Sequence, residues 1–185
     1  MGYELAEAGG GHLPEWIVYP TGGGTGLVGM WKAFAELGEM GLLQGPLPRM
    51  VSVQAEGCAP VVRAFLGGHE RLTPEPHPRT VAAGLRVPAA VGDRLMLRAL
   101  RESGGTALTV TEEELLHGTL LLSRLEGVYG SPEDGAAIAA AWHLRRSGAM
   151  PRQADVVIFL TGSGYKYADV LAGLSDCRPV LDPIS

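Results

Sequence analysis

The chain has 185 residues, 46% hydrophobic and 19% charged, with a formal net charge of −5, the composition of one globular domain with a sizeable core. Lys and Arg are scattered on an acidic balance, which excludes a basic face for nucleic acid or for an anionic membrane. No apolar run is long enough to span a bilayer and the N-terminus lacks the pattern of a signal peptide, so the cytoplasm is the expected compartment.

Met1 to Ala8 has a helical pattern that stops at Gly9-Gly10-Gly11, a terminator and turn. Trp16 to Tyr19 is an apolar run rich in β-formers and reads as a buried strand. Leu27, Val28, Met30, Trp31 and Phe34 recur at helical spacing after it, in a helix that ends near Gly41. Met50 to Ala55 is a second buried strand, and strand, helix, strand makes a right-handed parallel unit. Pro60 to Leu66 reads as a short helix. The proline-rich stretch Thr73 to Pro88 has no clean periodicity and is expected to be a long loop, of a length that often carries function.

Val91 to Ser103 places Leu95, Leu97, Ala99 and Leu100 on a helical pattern, and Thr106 to Thr111 is a third strand. Thr111 and Glu114 have capping-box spacing and open a helix to about Leu125, which gives Glu112 to Glu114 a structural role. Ser131 as N-cap and Pro132 at the first helical position start an alanine-rich helix that ends at Gly148. Val156 to Leu160 is a fourth buried strand, ending in Thr161-Gly162-Ser163-Gly164. The fold class is therefore α/β, a mainly parallel sheet flanked by helices, in a single domain over residues 1–185. Cys58 and Cys177 form no C-x-x-C pair and read as structural thiols. The five histidines stand singly, without metal-site spacing, and read as surface or loop residues.

The most informative stretch is Pro20-Thr21-Gly22-Gly23-Gly24-Thr25-Gly26, between the first strand and its helix. Three consecutive glycines cost backbone entropy and give no packing, so a use for bare N–H groups explains them better than a turn, for which one glycine would serve. Such a loop at a helix N-terminus cradles a phosphate, with Thr21 and Thr25 hydroxyls as further donors. Gly24-Thr25-Gly26-Leu27-Val28-Gly29 also satisfies the dinucleotide pattern G-x-G-x-x-G, with Glu56 as the ribose-binding acid. That match is weak, because Pro20 to Gly23 intervene between strand and motif; a P-loop is excluded because G-x-x-x-x-G-K-[ST] is absent. The loop after the fourth strand, Thr161 to Gly164, is expected to face the same crevice, since ligands sit at the carboxyl ends of parallel strands.

The segment IVYPTGGGTGLVGMWKAF resembles the phosphate cup of the threonine synthase branch of the fold type II pyridoxal-phosphate enzymes. TVAAGLRVPAAVGDRLMLRALRESGGTALTV, LEGVYGSPEDGAA and VVIFLTGSGYKY resemble later segments of that family, in the same order. The resemblance implies the large domain of that fold, with Gly22, Gly23, Gly24, Thr25 and Gly26 on the phosphate and the Thr161 hydroxyl against the pyridine nitrogen. It implies backbone contact to the ring from Ala83 or Gly84, and from Glu126-Gly127, for which a helix C-terminus is the alternative. A neutral hydroxyl at Thr161 would leave the ring unprotonated. The implied activity is γ-elimination of phosphate from O-phosphohomoserine followed by addition of water at the β-carbon, giving threonine.

The family needs a Schiff-base lysine, and the chain has only Lys32 and Lys166. Neither stands at the family's position, which lies in an earlier segment, so the chain resembles the C-terminal part of such an enzyme. The expected partners are an N-terminal half supplied as a separate chain, or a homo-oligomer, with a small amino-acid substrate. A sibling eliminase (threonine dehydratase, cysteate synthase or diaminopropionate ammonia-lyase), a non-catalytic cofactor- or phosphate-binding module and a dinucleotide binder stay open as alternatives.

Overall fold

A computed structural model describes residues 1–174. Its strands are β1 (Trp16–Pro20), β2 (Arg49–Ala55), β3 (Thr106–Val110) and β4 (Val156–Ile158). Its helices are α1 (Gly2–Ala8), α2 (Thr25–Glu39), α3 (Pro60–Leu66), α4 (Asp93–Glu102), α5 (Glu112–Glu126), α6 (Pro132–Arg146) and α7 (Ala168–Leu171), with short 3-10 turns at Glu56–Cys58, Ala83–Leu85 and Gly164–Tyr167. The sheet order is β3-β2-β1-β4 and every neighbouring pair is parallel.

Alternation along the strands divides the core between two faces. Ile17, Met50 and Ala107 pack against Leu27, Met30 and Phe34 of α2, Val61 and Val62 of α3, and Met96, Leu97 and Leu100 of α4. Val18, Val51, Val53 and Val110 pack against Leu115 of α5 and Ala136, Ala137, Ala139 and Ala140 of α6. Helices on both faces are why β1 is a nearly continuous apolar run and why even the polar Ser52 and Gln54 of β2 are fully buried.

The caps act as the sequence suggests. Thr111 Oγ1 accepts from Glu114 N while Thr111 N donates to Glu114 Oε2, and Ser131 and Asp134 repeat the exchange at α6. Helices α5 and α6 then approach until their backbones nearly touch: a Cβ on Gly118 would overlap the Gly135 carbonyl, and one on Gly135 would overlap the Leu115 carbonyl and Thr119 Oγ1.

Several expectations need correction. The fourth strand has three residues rather than five, and Val156, Val157 and Ile158 are half-buried, because β4 is the outer strand beside β1 among the described residues. Met96, not Leu95, takes the inward position on α4; Leu95 is 54% exposed. His117 is buried within α5, and His143 is half-buried on α6 with Nε2 at 2.8 Å from Glu114 Oε1, so neither is a loop residue. Cys58 is buried and free, whereas Cys177 lies outside the described residues. No helix among the described residues is long and apolar enough to cross a membrane.

Candidate functional site

From β1 the sheet extends to β2 and β3 on one side and to β4 on the other, so the chain order switches between β1 and β4. Crevices at such switch points, at the carboxyl ends of the strands, are where open α/β sheets bind ligands. Here the loop after β1, the loop after β4, the Ala83–Leu85 turn and the first turn of α6 enclose a cavity of about 410 Å³, within the size of small-ligand sites.

The glycine loop is anchored from behind. Thr21 is fully buried and its hydroxyl donates to the Tyr19 carbonyl at 2.9 Å, so it is not a ligand donor. The Thr21 carbonyl accepts from Gln54 Nε2 at 3.0 Å, and Gln54 Oε1 accepts from the N–H groups of Val61 and Val62 at 2.8 and 3.2 Å. One buried amide thus satisfies orphan donors in α3 and pins the loop to β2.

The glycines differ in what holds them. A Cβ on Gly22 would overlap the Gly84 carbonyl, and one on Gly26 the Tyr19 hydroxyl. Gly24 has φ +76 and a Cβ there would overlap Met96 Sδ. Gly23 has no such reason: its φ is not left-handed and nothing lies within 4 Å of its Cβ position. Its bare side opens on the cavity. Helix α2 has Gly24 as its N-cap and no side-chain cap, unlike α5 and α6, so the N–H groups of its first turn remain available to an anion, and the helix dipole favours one.

The opposite wall comes from the start of α6. Asp134 is fully buried; Oδ2 accepts from Ser131 N at 2.7 Å and Oδ1 from Thr161 N at 2.6 Å, so the cap of α6 also fixes the loop after β4. Glu133 is also buried, its Oε1 accepting from Gly84 N at 2.7 Å and from the Tyr167 hydroxyl, while Oε2 has no donor. The Tyr167 oxygen in turn accepts from Ala83 N at 3.1 Å. Burial first, and then the bond to Glu133, pushes the Tyr167 phenol up to about 12, so it stays a protonated donor at neutral pH.

Of the residues singled out in the sequence, Gly22, Gly23, Gly24, Thr25 and Thr161 line the cavity, as do Ala83 and Gly84, while Gly26 lies behind it under Tyr19. Glu56 is not on the wall, which removes the acid a dinucleotide reading needs. Glu126 and Gly127 are not on it either; Gly127 is the left-handed C-cap of α5, φ 68. Lys32 pairs with Glu36 on the outer face of α2, whereas Lys166 lies on the cavity wall. The sequence reading missed Gln54, Glu133, Asp134 and Tyr167. Glu133 did leave a trace, since a capping box needs only Ser131 and Asp134 and the acid between them is surplus to it.

Uncapped amides at the start of α2 and an unobstructed Gly23 on the cavity wall suit a phosphorylated ligand. The family model for pyridoxal-phosphate dependent enzymes matches residues 1–162. The chain belongs to this family. Its cofactor, pyridoxal phosphate, fits the donor set just described.

Among curated relatives, the threonine synthase of Methanosarcina acetivorans is 38% identical over 182 residues, covering 98% of this chain and 45% of that protein. The threonine synthase of Methanocaldococcus jannaschii is 30% identical over 176 residues, covering 95% and 43%. The chain thus spans somewhat less than half the length of these relatives. Among solved structures, a T.th. threonine deaminase superposes with a TM-score of 0.63 at 28% identity, over 88% of this chain and 55% of that one. A fungal L-serine ammonia-lyase from Rhizomucor miehei reaches a TM-score of 0.68 at 19% identity, over 96% and 54%, and speaks to the fold alone.

Proposed function

We propose that this chain is the cofactor-holding part of a threonine synthase-like enzyme, which converts O-phosphohomoserine to threonine and phosphate, with the remaining catalytic segment contributed from outside residues 1–185. The observation that carries the reading is the Gly22–Thr25 loop: open amides at the start of α2, set at the switch point of the sheet, with Gly23 on the cavity wall held by neither packing nor a left-handed backbone. Pyridoxal phosphate, when bound, supplies the electron sink for chemistry along an amino-acid side chain.

The chain's own residues do the holding. Loop amides and the positive end of α2 bind the phosphate, preorganised by Gln54. The Ala83–Leu85 turn, fixed by Glu133 and Tyr167, supplies one backbone wall, and the backbone of Thr161 is held by Asp134. Fixed donors and backbone cost no reorganisation when the ligand arrives.

The test is thermal unfolding of the 185-residue chain with pyridoxal phosphate, with 4'-deoxypyridoxine 5'-phosphate and with NAD. Ligand at about a hundred times Kd stabilises by about 2.7 kcal/mol. A rise with both pyridines and none with NAD supports the reading; no rise, or an equal rise with NAD, counts against it. Phosphate release from O-phosphohomoserine after mixing with a separately produced N-terminal segment tests the reaction, and ammonia release from threonine or serine instead would favour a sibling eliminase. Lys166 on the wall supports a second reading, in which this chain supplies its own amine. Borohydride reduction and peptide mapping decide it: a stable label on Lys166 would overturn the need for an outside lysine.

A further inference from the structure

Of the two hydroxyls that the sequence sets beside the glycine loop, that of Thr21 is spent on the Tyr19 carbonyl. The side chain of Tyr19 itself stands at the same place. It follows Ile17 on the α2 face of β1 and packs on the core around Leu27. Its ring meets Phe159 edge-on, with centroids 5.9 Å apart at 62°, a contact that fixes the ring without using the hydroxyl. The hydroxyl ends over the first turn of α2, where a Cβ on Gly26 would overlap it. Among the described residues it has no hydrogen-bond partner. Ser52, opposite Tyr19 in the register of β1 and β2, keeps an unpaired hydroxyl of its own, so the two do not bond. The side-chain oxygens that are both buried and unpaired belong to Ser52, Glu112 and Glu133. The Tyr19 oxygen is unpaired without being buried, so it is open to solvent, on a residue that lines the cavity. Burial of the ring raises the phenol above its ordinary value, which keeps it a protonated donor at neutral pH.

We propose that the Tyr19 hydroxyl donates a hydrogen bond to the phosphate group of the cofactor, beside the N–H groups of the Gly22–Thr25 loop and of the first turn of α2. The proposal rests on the cofactor reading of this cavity and adds to it a donor carried by the sheet rather than by the loop. A phosphate monoester offers three strong acceptor oxygens. A hydroxyl that gives up no bond within the fold contributes its whole gain to the ligand, and bonds to charged acceptors are the stronger kind.

The probe is 4'-deoxypyridoxine 5'-phosphate, which lacks the aldehyde and binds without any lysine. Calorimetry and phosphorus-31 NMR of the bound phosphate are run on the 185-residue chain and on Tyr19→Phe, which keeps the ring against Phe159 and removes only the hydroxyl. Tyr19→Phe is expected to bind about tenfold more weakly, to shift the phosphorus resonance of the bound ligand, and to keep the urea midpoint of the wild type. Unchanged affinity overturns the proposal. Weaker binding with an unmoved phosphorus resonance also overturns it, because the effect then comes from the ring and not from the phosphate. A loss beyond about a hundredfold exceeds what one such bond supplies and overturns it too, as does a Tyr19→Phe chain that unfolds or has a lowered urea midpoint, since the hydroxyl would then be serving the fold. No binding by the wild type removes the cofactor reading itself, whereas binding with an indifferent Tyr19 removes only this inference.

Discussion

A methyl group added at Gly22 runs into the Gly84 carbonyl, at Gly24 into Met96 Sδ, and at Gly23 into open space. Gly23→Ala is therefore expected to keep the fold, with urea-unfolding stability unchanged or raised by up to about 1 kcal/mol through the unfolded chain, while phosphate-analogue affinity falls about tenfold or more. Gly24→Ala should cost at least about 1–2 kcal/mol for its left-handed backbone alone. Equal losses at both positions would mean that Gly23 is held by the fold after all. The sequence announces that backbone is wanted here but cannot say which glycine faces the ligand, because that depends on Gly84 and Met96, both distant in the chain. Two titrations belong at this scale as well. The raised Tyr167 phenol favours the neutral form in the fold, so its contribution is whole below the ordinary value of 10 and lost as pH climbs toward about 12. Tyr167→Phe should flatten that alkaline loss in denaturant midpoints. His117 is held below its usual value, chiefly by burial and then by Arg124. The folded chain thus prefers neutral imidazole, and stability should fall as pH drops below about 6.5, less so in His117→Gln.

The caps of α5 and α6 are legible in the sequence because all their partners lie within four residues, whereas the second use of the α6 cap is not. Asp134 closes a box with Ser131 and also holds Thr161 N, 27 residues away, through the other oxygen. Asp134→Ala is expected to cost about 3 kcal/mol or more, given two charge-assisted bonds in a buried setting, and to weaken ligand binding. Thr111→Ala, which removes an ordinary cap, should cost about 1 kcal/mol and leave binding alone. If calorimetry finds the two variants alike in affinity, Asp134 is only a cap. The strands show the same division. β1 and β2 are read correctly from apolar runs, but β4 is an equally apolar run that is only half-buried, since being outermost is a property of the assembled sheet and not of five consecutive letters.

Among the described residues β4 is an outer strand, and its Val156, Val157 and Ile158, with Phe159 just after it, are all apolar and half-buried. Large side chains such as Leu42, Leu66, Leu125 and Tyr165 are more than half exposed. Together with the length of its relatives, this leads us to expect self-association of the 185-residue chain, relieved by an added N-terminal segment that slows hydrogen exchange along β4. A monodisperse, stable monomer in sedimentation, indifferent to that segment, would count against it. The near-contact of α5 and α6 at Gly118 and Gly135 bears on motion. It clamps the turn that carries Glu133 and Asp134 onto a neighbour with no room to slide, so one jaw of the binding cleft is stationary. Any opening of the cleft is then expected from the glycine loop, the Ala83–Leu85 turn or the loop after β4, and backbone amides at the start of α6 should be among the slowest in the chain to exchange with solvent, bound or free.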